Sequence, residues 1–100
     1  MTPPSLGVDI VEVKRIARLI REPRFLARVF SDREVAYCRA KKNAAQHFAV
    51  RFAAKEAALK ALGTGWTRGI QWRDIEVRNE LGGRPRLVLA GAARELAEKL

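Results

Sequence analysis

The sequence predicts an α+β fold: one long helix, apolar on nearly every side, packed against a short antiparallel sheet. Two observations carry that prediction. Residues 44–62 run without glycine or proline and stop at Gly63, the residue type that most readily ends a helix. Beyond them, two alternating runs flank Gly82-Gly83, which reads as a hairpin with a longer loop. At 100 residues, with no internal repeat and no linker-like tract, the chain reads as a single domain over residues 1–100.

The elements follow in order. Residues 6–11 alternate and read as a short strand, in which Asp9 is out of place because aspartate is depleted in strands. The other reading ends that strand early and makes Asp9 a helix cap, with Glu12 three positions on. From 12 to 20 the pattern is helical, with Val13, Ile16, Ala17 and Ile20 on one face and Lys14, Arg18 and Arg21 along another. Pro23 stops that helix. Phe25, Leu26, Val29 and Phe30 keep helical spacing. Ser31 with Glu34 then forms a capping-box pattern opening a helix to about residue 40.

The long helix has a stripe of Phe48, Phe52, Leu59 and Leu62, with alanines over most of the rest. A helix of that kind is buried inside its domain, so its charges Arg51, Lys55, Glu56 and Lys60 call for an explanation. Residues 63–69 form a glycine-punctuated loop, residues 72–78 and 86–90 read as strands, and residues 92–100 as a final helix.

Composition narrows the function classes. The formal charge of +9 predicts attraction to a polyanion: nucleic acid, an anionic membrane, a phosphorylated small molecule or an acidic protein. The aromatic residues are too scattered for a base-stacking platform, and no zinc-ligand or helix-turn-helix pattern is present. No apolar run reaches the length of a signal peptide or a bilayer span. The lone Cys38 cannot form an internal disulfide, which suits a reducing, cytoplasmic setting, and it reads as a small buried hydrophobe.

Glu56 and Lys60 point the same way from the long helix. Taken alone they read as an ordinary ion pair, worth a few tenths of a kcal/mol. Asp9 is a second carboxylate in an apolar segment. Two converging carboxylates would hold a hard cation such as Mg²⁺, and a nearby lysine would meet the same phosphates as a point charge. His47, a helix-surface histidine, gains no role.

Gly7-Val8-Asp9-Ile10-Val11-Glu12 with Lys14-Arg15-Ile16 resembles the opening signature of the holo-acyl-carrier-protein synthases, a 4′-phosphopantetheinyl transferase family. The run from Arg51 through Phe52, Lys55-Glu56 and Lys60 to Gly63-Thr64-Gly65 resembles their central motif. Asp74-Ile75-Glu76-Val77 and Gly83-Arg84-Pro85 match the later pattern, so the resemblance runs from Leu6 to the chain end.

The resemblance implies a Mg²⁺-dependent enzyme of fatty acid biosynthesis. It would move phosphopantetheine from coenzyme A to a serine of an acidic apo acyl carrier protein and release adenosine 3′,5′-bisphosphate. It implies metal ligands at Asp9 and Glu56, with Lys60 on the coenzyme phosphate and Glu56 or a metal-bound water as base. Arg51, Gly63, Thr64 and Gly65, with Lys55, would line the nucleotide part. Lys14, Arg15, Arg18, Arg21, Arg24 and Arg28 would receive the carrier protein. It further implies a homotrimer with sites between subunits, no nucleic-acid or membrane partner, and a last strand beyond the helix in which this chain ends. Two alternatives stand beside it: a non-catalytic or partial carrier-docking domain, and a small basic nucleic-acid-binding module.

Overall fold

The computed structural model describes residues 10–63, 69–80 and 83–100. Four helices come first: α1 (Ile10–Leu19), α2 (Pro23–Val29), α3 (Asp32–Arg39) and α4 (Ala44–Leu62). A 3₁₀ turn (Trp72–Asp74), strands β1 (Ile75–Asn79) and β2 (Pro85–Leu89) and helix α5 (Gly91–Lys99) follow.

Local chemistry sets most boundaries. Pro23 opens α2 from its first turn, where a missing N–H leaves no helical bond unmade. At α3 the Ser31 hydroxyl accepts the Glu34 N–H at 3.2 Å, and the Glu34 carboxylate accepts the Ser31 N–H at 2.9 Å. That is the reciprocal box the sequence predicts. Helix α4 occupies the expected span and ends on Gly63 at φ 78°, a left-handed conformation that glycine adopts without strain.

Two expectations need correction. Ile10 and Val11, read as the end of a strand, open α1 and stand 69% and 75% exposed; residues 6–9 of that strand lie outside the described residues. Their β-branched character is a weak preference that helical context overrides. Residues 72–74 form a 3₁₀ turn rather than the start of a strand. The Asp74 carboxylate accepts the Gln71 N–H at 3.0 Å, closing the turn before β1 begins.

The hairpin pairs antiparallel, with Ile75 opposite Leu89, Val77 opposite Leu87 and Asn79 opposite Pro85. Ile75 and Val77 are the buried positions of β1, two residues apart as the strand period requires. Helix α4 packs against both α1 and β1. It supplies Phe48, Ala49 and Phe52 to one buried cluster with Ile16, Leu26, Val29, Phe30 and Cys38. It supplies Leu59 to a second, with Ile70, Ile75 and Ala93. The predicted α+β class and the long helix on a short antiparallel sheet are what the structure contains.

Candidate active site

Three turns of α4 carry the four charges the sequence singles out, and the structure sends them to different places. Glu56 is half-buried on the side of α4 that faces α1. Its charge reaches Arg15, whose guanidinium is held above its ordinary pKa by its bond to Glu12 and by the charges of Glu12 and Glu56 against an opposing burial effect. Arg15 also lies 5.5 Å from the ring centre of Phe52, one turn before Glu56. Arg15, Phe52 and Glu56 thus share the α1–α4 seam.

Glu56 and Lys60 make no ion pair with each other, and neither has a hydrogen bond or ion pair among the described residues. The ordinary surface pair that the four-residue spacing suggests is not formed. Lys60 stands exposed in the last turn of α4, where a cation is favoured by the helix dipole. Asp9, Thr64 and Gly65 lie outside the described residues, while Gly63 is exposed at the helix end.

Arg51 is the second feature. Only 4% of it is exposed, and its guanidinium lies 4.2 Å from the centre of the Tyr37 ring. It donates to the Asn79 side-chain oxygen and, at 3.4 Å, to the His47 carbonyl, while its Nε has no partner among the described residues. Among the described residues no carboxylate pairs with it. A buried cation without a counter-charge is costly and is the ordinary mark of a place for an anion. Arg51 borders a cavity of about 270 Å³ that Tyr37, His47, Val50, Asn79 and Pro85 also line. His47 is held below its ordinary pKa of 6.5 by burial and by the charges of Arg51 and Lys41.

The sequence gives no role to His47, Tyr37 or Asn79, all of which line this cavity. His47 had a usable signal, since it lies one turn before Arg51 on the same helix. Tyr37 and Asn79 had none, because α3 and β1 meet α4 only in the folded chain.

Lys55 is a correction. Expected beside the nucleotide, its side chain is instead fully buried. Its ammonium donates to the carbonyls of Val29 at 2.8 Å, Ile75 at 2.6 Å and Trp72 at 3.2 Å, and lies 2.7 Å from Glu34 Oε1. No donor remains for a ligand, because an ammonium has three N–H groups and these partners use them. The six basic residues expected to meet the carrier protein, Lys14, Arg15, Arg18, Arg21, Arg24 and Arg28, are all exposed on α1, α2 and the turn between them. Arg28 also borders a groove of about 570 Å³ shared with Gln71, Trp72 and Arg73.

Comparison with known proteins bears directly on this arrangement. A family model described as the 4′-phosphopantetheinyl transferase superfamily matches residues 5–100. The holo-[acyl-carrier-protein] synthase of Koribacter versatilis is 52% identical over 96 residues, covering 94% of this chain and 77% of that protein. That of Moorella thermoacetica is 54% identical over 95 residues, covering 94% and 73%. Among solved structures, the acyl carrier protein synthase of Plasmodium yoelii with ADP bound superposes with a TM-score of 0.65 at 34% identity, covering 87% of this chain and 69% of that one.

The chain belongs to the 4′-phosphopantetheinyl transferase superfamily. Within it the chain is an enzyme of the holo-[acyl-carrier-protein] synthase family, which transfers phosphopantetheine to acyl carrier protein. No helix among the described residues is long and apolar enough to cross a membrane.

Proposed function

We propose that the phosphopantetheine donor is coenzyme A, that the acceptor is a serine of an acidic apo acyl carrier protein, and that transfer needs Mg²⁺ and serves fatty acid biosynthesis in the cytoplasm. The observation that carries this reading is the buried Arg51 guanidinium beside a cavity, on the same helix as a half-buried glutamate, neither with an ion pair among the described residues. Coenzyme A is an anion with an adenine nucleotide at one end. Arg51 would hold an anionic group of that nucleotide, with the Tyr37 ring and the Gly83-Arg84-Pro85 turn beside it. The ADP held by the Plasmodium yoelii relative agrees with an adenine-nucleotide site.

Glu56 fits a magnesium ion by donor chemistry. It offers hard oxygen, has no hydrogen bond or ion pair among the described residues, and Mg²⁺ takes one or two carboxylates. Asp9 would be the second. Bound there, Mg²⁺ would neutralise charge on the pyrophosphate. The remaining work falls to the chain. Lys60, exposed one turn beyond Glu56, would stabilise charge on the departing adenosine 3′,5′-bisphosphate. Glu56 would accept the proton of the attacking serine hydroxyl as its oxygen forms the new P–O bond and the pyrophosphate bond breaks. The exposed cations of α1 and α2 would steer the acidic carrier, so association should weaken with salt. A homotrimer with coenzyme A between subunits completes the reading.

The test incubates the protein with apo carrier protein, coenzyme A and Mg²⁺ and reads the mass of the carrier. One added phosphopantetheine is expected, abolished by chelation and by Glu56→Gln. Lys60→Met should lower turnover roughly 10²–10³-fold, the usual cost of removing a donor aimed at transition-state charge. An unmodified carrier with the wild-type protein would overturn the reading. Full activity of Glu56→Gln at limiting Mg²⁺ would overturn the metal assignment.

A further inference from the structure

The most deeply buried charges among the described residues, Lys55 and Glu34, belong to no step of the proposed chemistry. Glu34 is 1% exposed and Lys55 0%. Glu34 Oε1 accepts from the Ser31 N–H at 2.9 Å and pairs with Lys55 Nζ at 2.7 Å, while Oε2 accepts from the Val77 N–H at 3.0 Å. Lys55 adds the carbonyls of Val29, Trp72 and Ile75, and its ammonium lies 5.5 Å from the centre of the Phe30 ring. One ion pair therefore ties the end of α2, the start of α3, the 3₁₀ turn, β1 and the middle of α4.

Stability alone accounts poorly for such a pair. Desolvating two charges offsets most of their attraction, and apolar residues of similar volume commonly serve a fold as well or better. A pair with this many directional partners instead supplies a fixed geometry. Successive helical residues are turned by about 100° and displaced about 1.5 Å along the axis. Once Lys55 is seated on three carbonyls and a carboxylate, the azimuth and height of Glu56 are fixed, and so are those of Lys60 one turn on. A slip of α4 by one residue would carry Glu56 toward the position Lys55 occupies and leave Glu34 buried without its cation.

We propose that Lys55 and Glu34 are positioning residues: their buried pair locks the rotation of α4 so that Glu56 faces the α1 seam and Lys60 stands one turn beyond it. The pair touches neither substrate nor metal and acts only through Glu56 and Lys60. This rests on the assignment of those two residues to metal and phosphate.

Two variants test it. Glu34→Asp keeps both charges but withdraws the carboxylate by one methylene. E34Q/K55M removes both charges together, so no buried ion is left unpaired, and the amide that replaces the carboxylate still offers an oxygen to the Ser31 or Val77 N–H. Each is assayed well below its melting temperature, by turnover, by the Mg²⁺ concentration for half-activation and by KM for coenzyme A. Loss of a group that orients a metal ligand typically costs roughly 10- to 100-fold in metal affinity or activity. The expected result is a loss of that size in turnover or Mg²⁺ activation, with KM for coenzyme A nearly unchanged. A purely stabilising role would move the melting temperature and leave those constants alone.

Parental turnover and parental Mg²⁺ activation in either folded variant would overturn the proposal. Glu56→Gln separates the two modes of failure. If it is inactive while E34Q/K55M is fully active, the lock is wrong and the site assignment stands. If Glu56→Gln is itself fully active, the site assignment has failed and the lock falls with it.

Discussion

The helical half of the molecule is filled by aromatic rings that touch one another, whereas the half built on the hairpin and α5 is filled by aliphatic side chains. In the first, Phe30 meets Phe25 and Phe48 edge-on at 6.1 and 5.0 Å between ring centres, and Phe52 stacks on Trp72 at 5.0 Å. In the second, Leu59, Ile70, Ile75 and Ala93 form a smaller cluster, and the outer strand β2 leaves Leu87 48% exposed. Rings bury more surface per residue and constrain each other's orientation, so the helical half is the better anchored. Glu56 and Lys60, without an ion pair among the described residues, lie on α4 between the last ring of the first cluster, Phe52, and the helix end. Rigid packing thus precedes the site along the helix, and looser packing follows it.

The largest expected effect tests that contrast. Phe48→Ala should destabilise by about 3–5 kcal/mol and Leu59→Ala by about 2–3 kcal/mol, as large-to-small changes in cores do. Urea denaturation measures both, and a larger loss at Leu59 would reverse the ranking of the two halves. Gly91→Ala comes next. Gly91 sits at φ 53°, and a Cβ there would lie 3.1 Å from the Asp74 carboxylate that closes the 3₁₀ turn. Strain of this kind costs about 1–3 kcal/mol. It should be felt first in the hairpin half, with a larger rise in amide exchange in α5 than in α1–α3.

The smallest effect concerns acid. Burial, with Arg51 and Lys41, holds His47 below its ordinary 6.5, so the unfolded chain takes up a proton before the folded one does. Stability should therefore fall as pH drops through 6.5 toward the folded value, and His47→Gln should flatten that limb of a melting-temperature profile. Glu76 adds a further loss below 4.5. Burial raises its pKa, but bonds from Ser31 and Arg78 outweigh that and hold it down.

What the sequence made legible was chemistry that acts over a few residues. The Ser31–Glu34 box, the span of α4 and its stop at Gly63 all depend on neighbours in the chain, and each is found where the pattern puts it. Lys55 was not legible, because its motif neighbour Glu56 suggests a ligand while its actual partner, Glu34, lies on another helix. Glu34 itself was half read. Its capping oxygen follows from spacing, but its second oxygen meets Val77, 43 residues away. The cavity beside Arg51 is of the same kind, for α3, α4, β1 and the start of β2 all supply its walls. The strand expected through Val11 failed for the opposite reason, a local preference overridden by a longer helical period.

Trp72 is partly buried and packs against both clusters, while α4 supplies side chains to each. Neither half can open without baring the indole and one flank of the shared helix. The two unequal halves are therefore coupled in unfolding. The weaker one borrows cooperativity from the stronger, and the chain should melt as one unit despite the contrast in its packing.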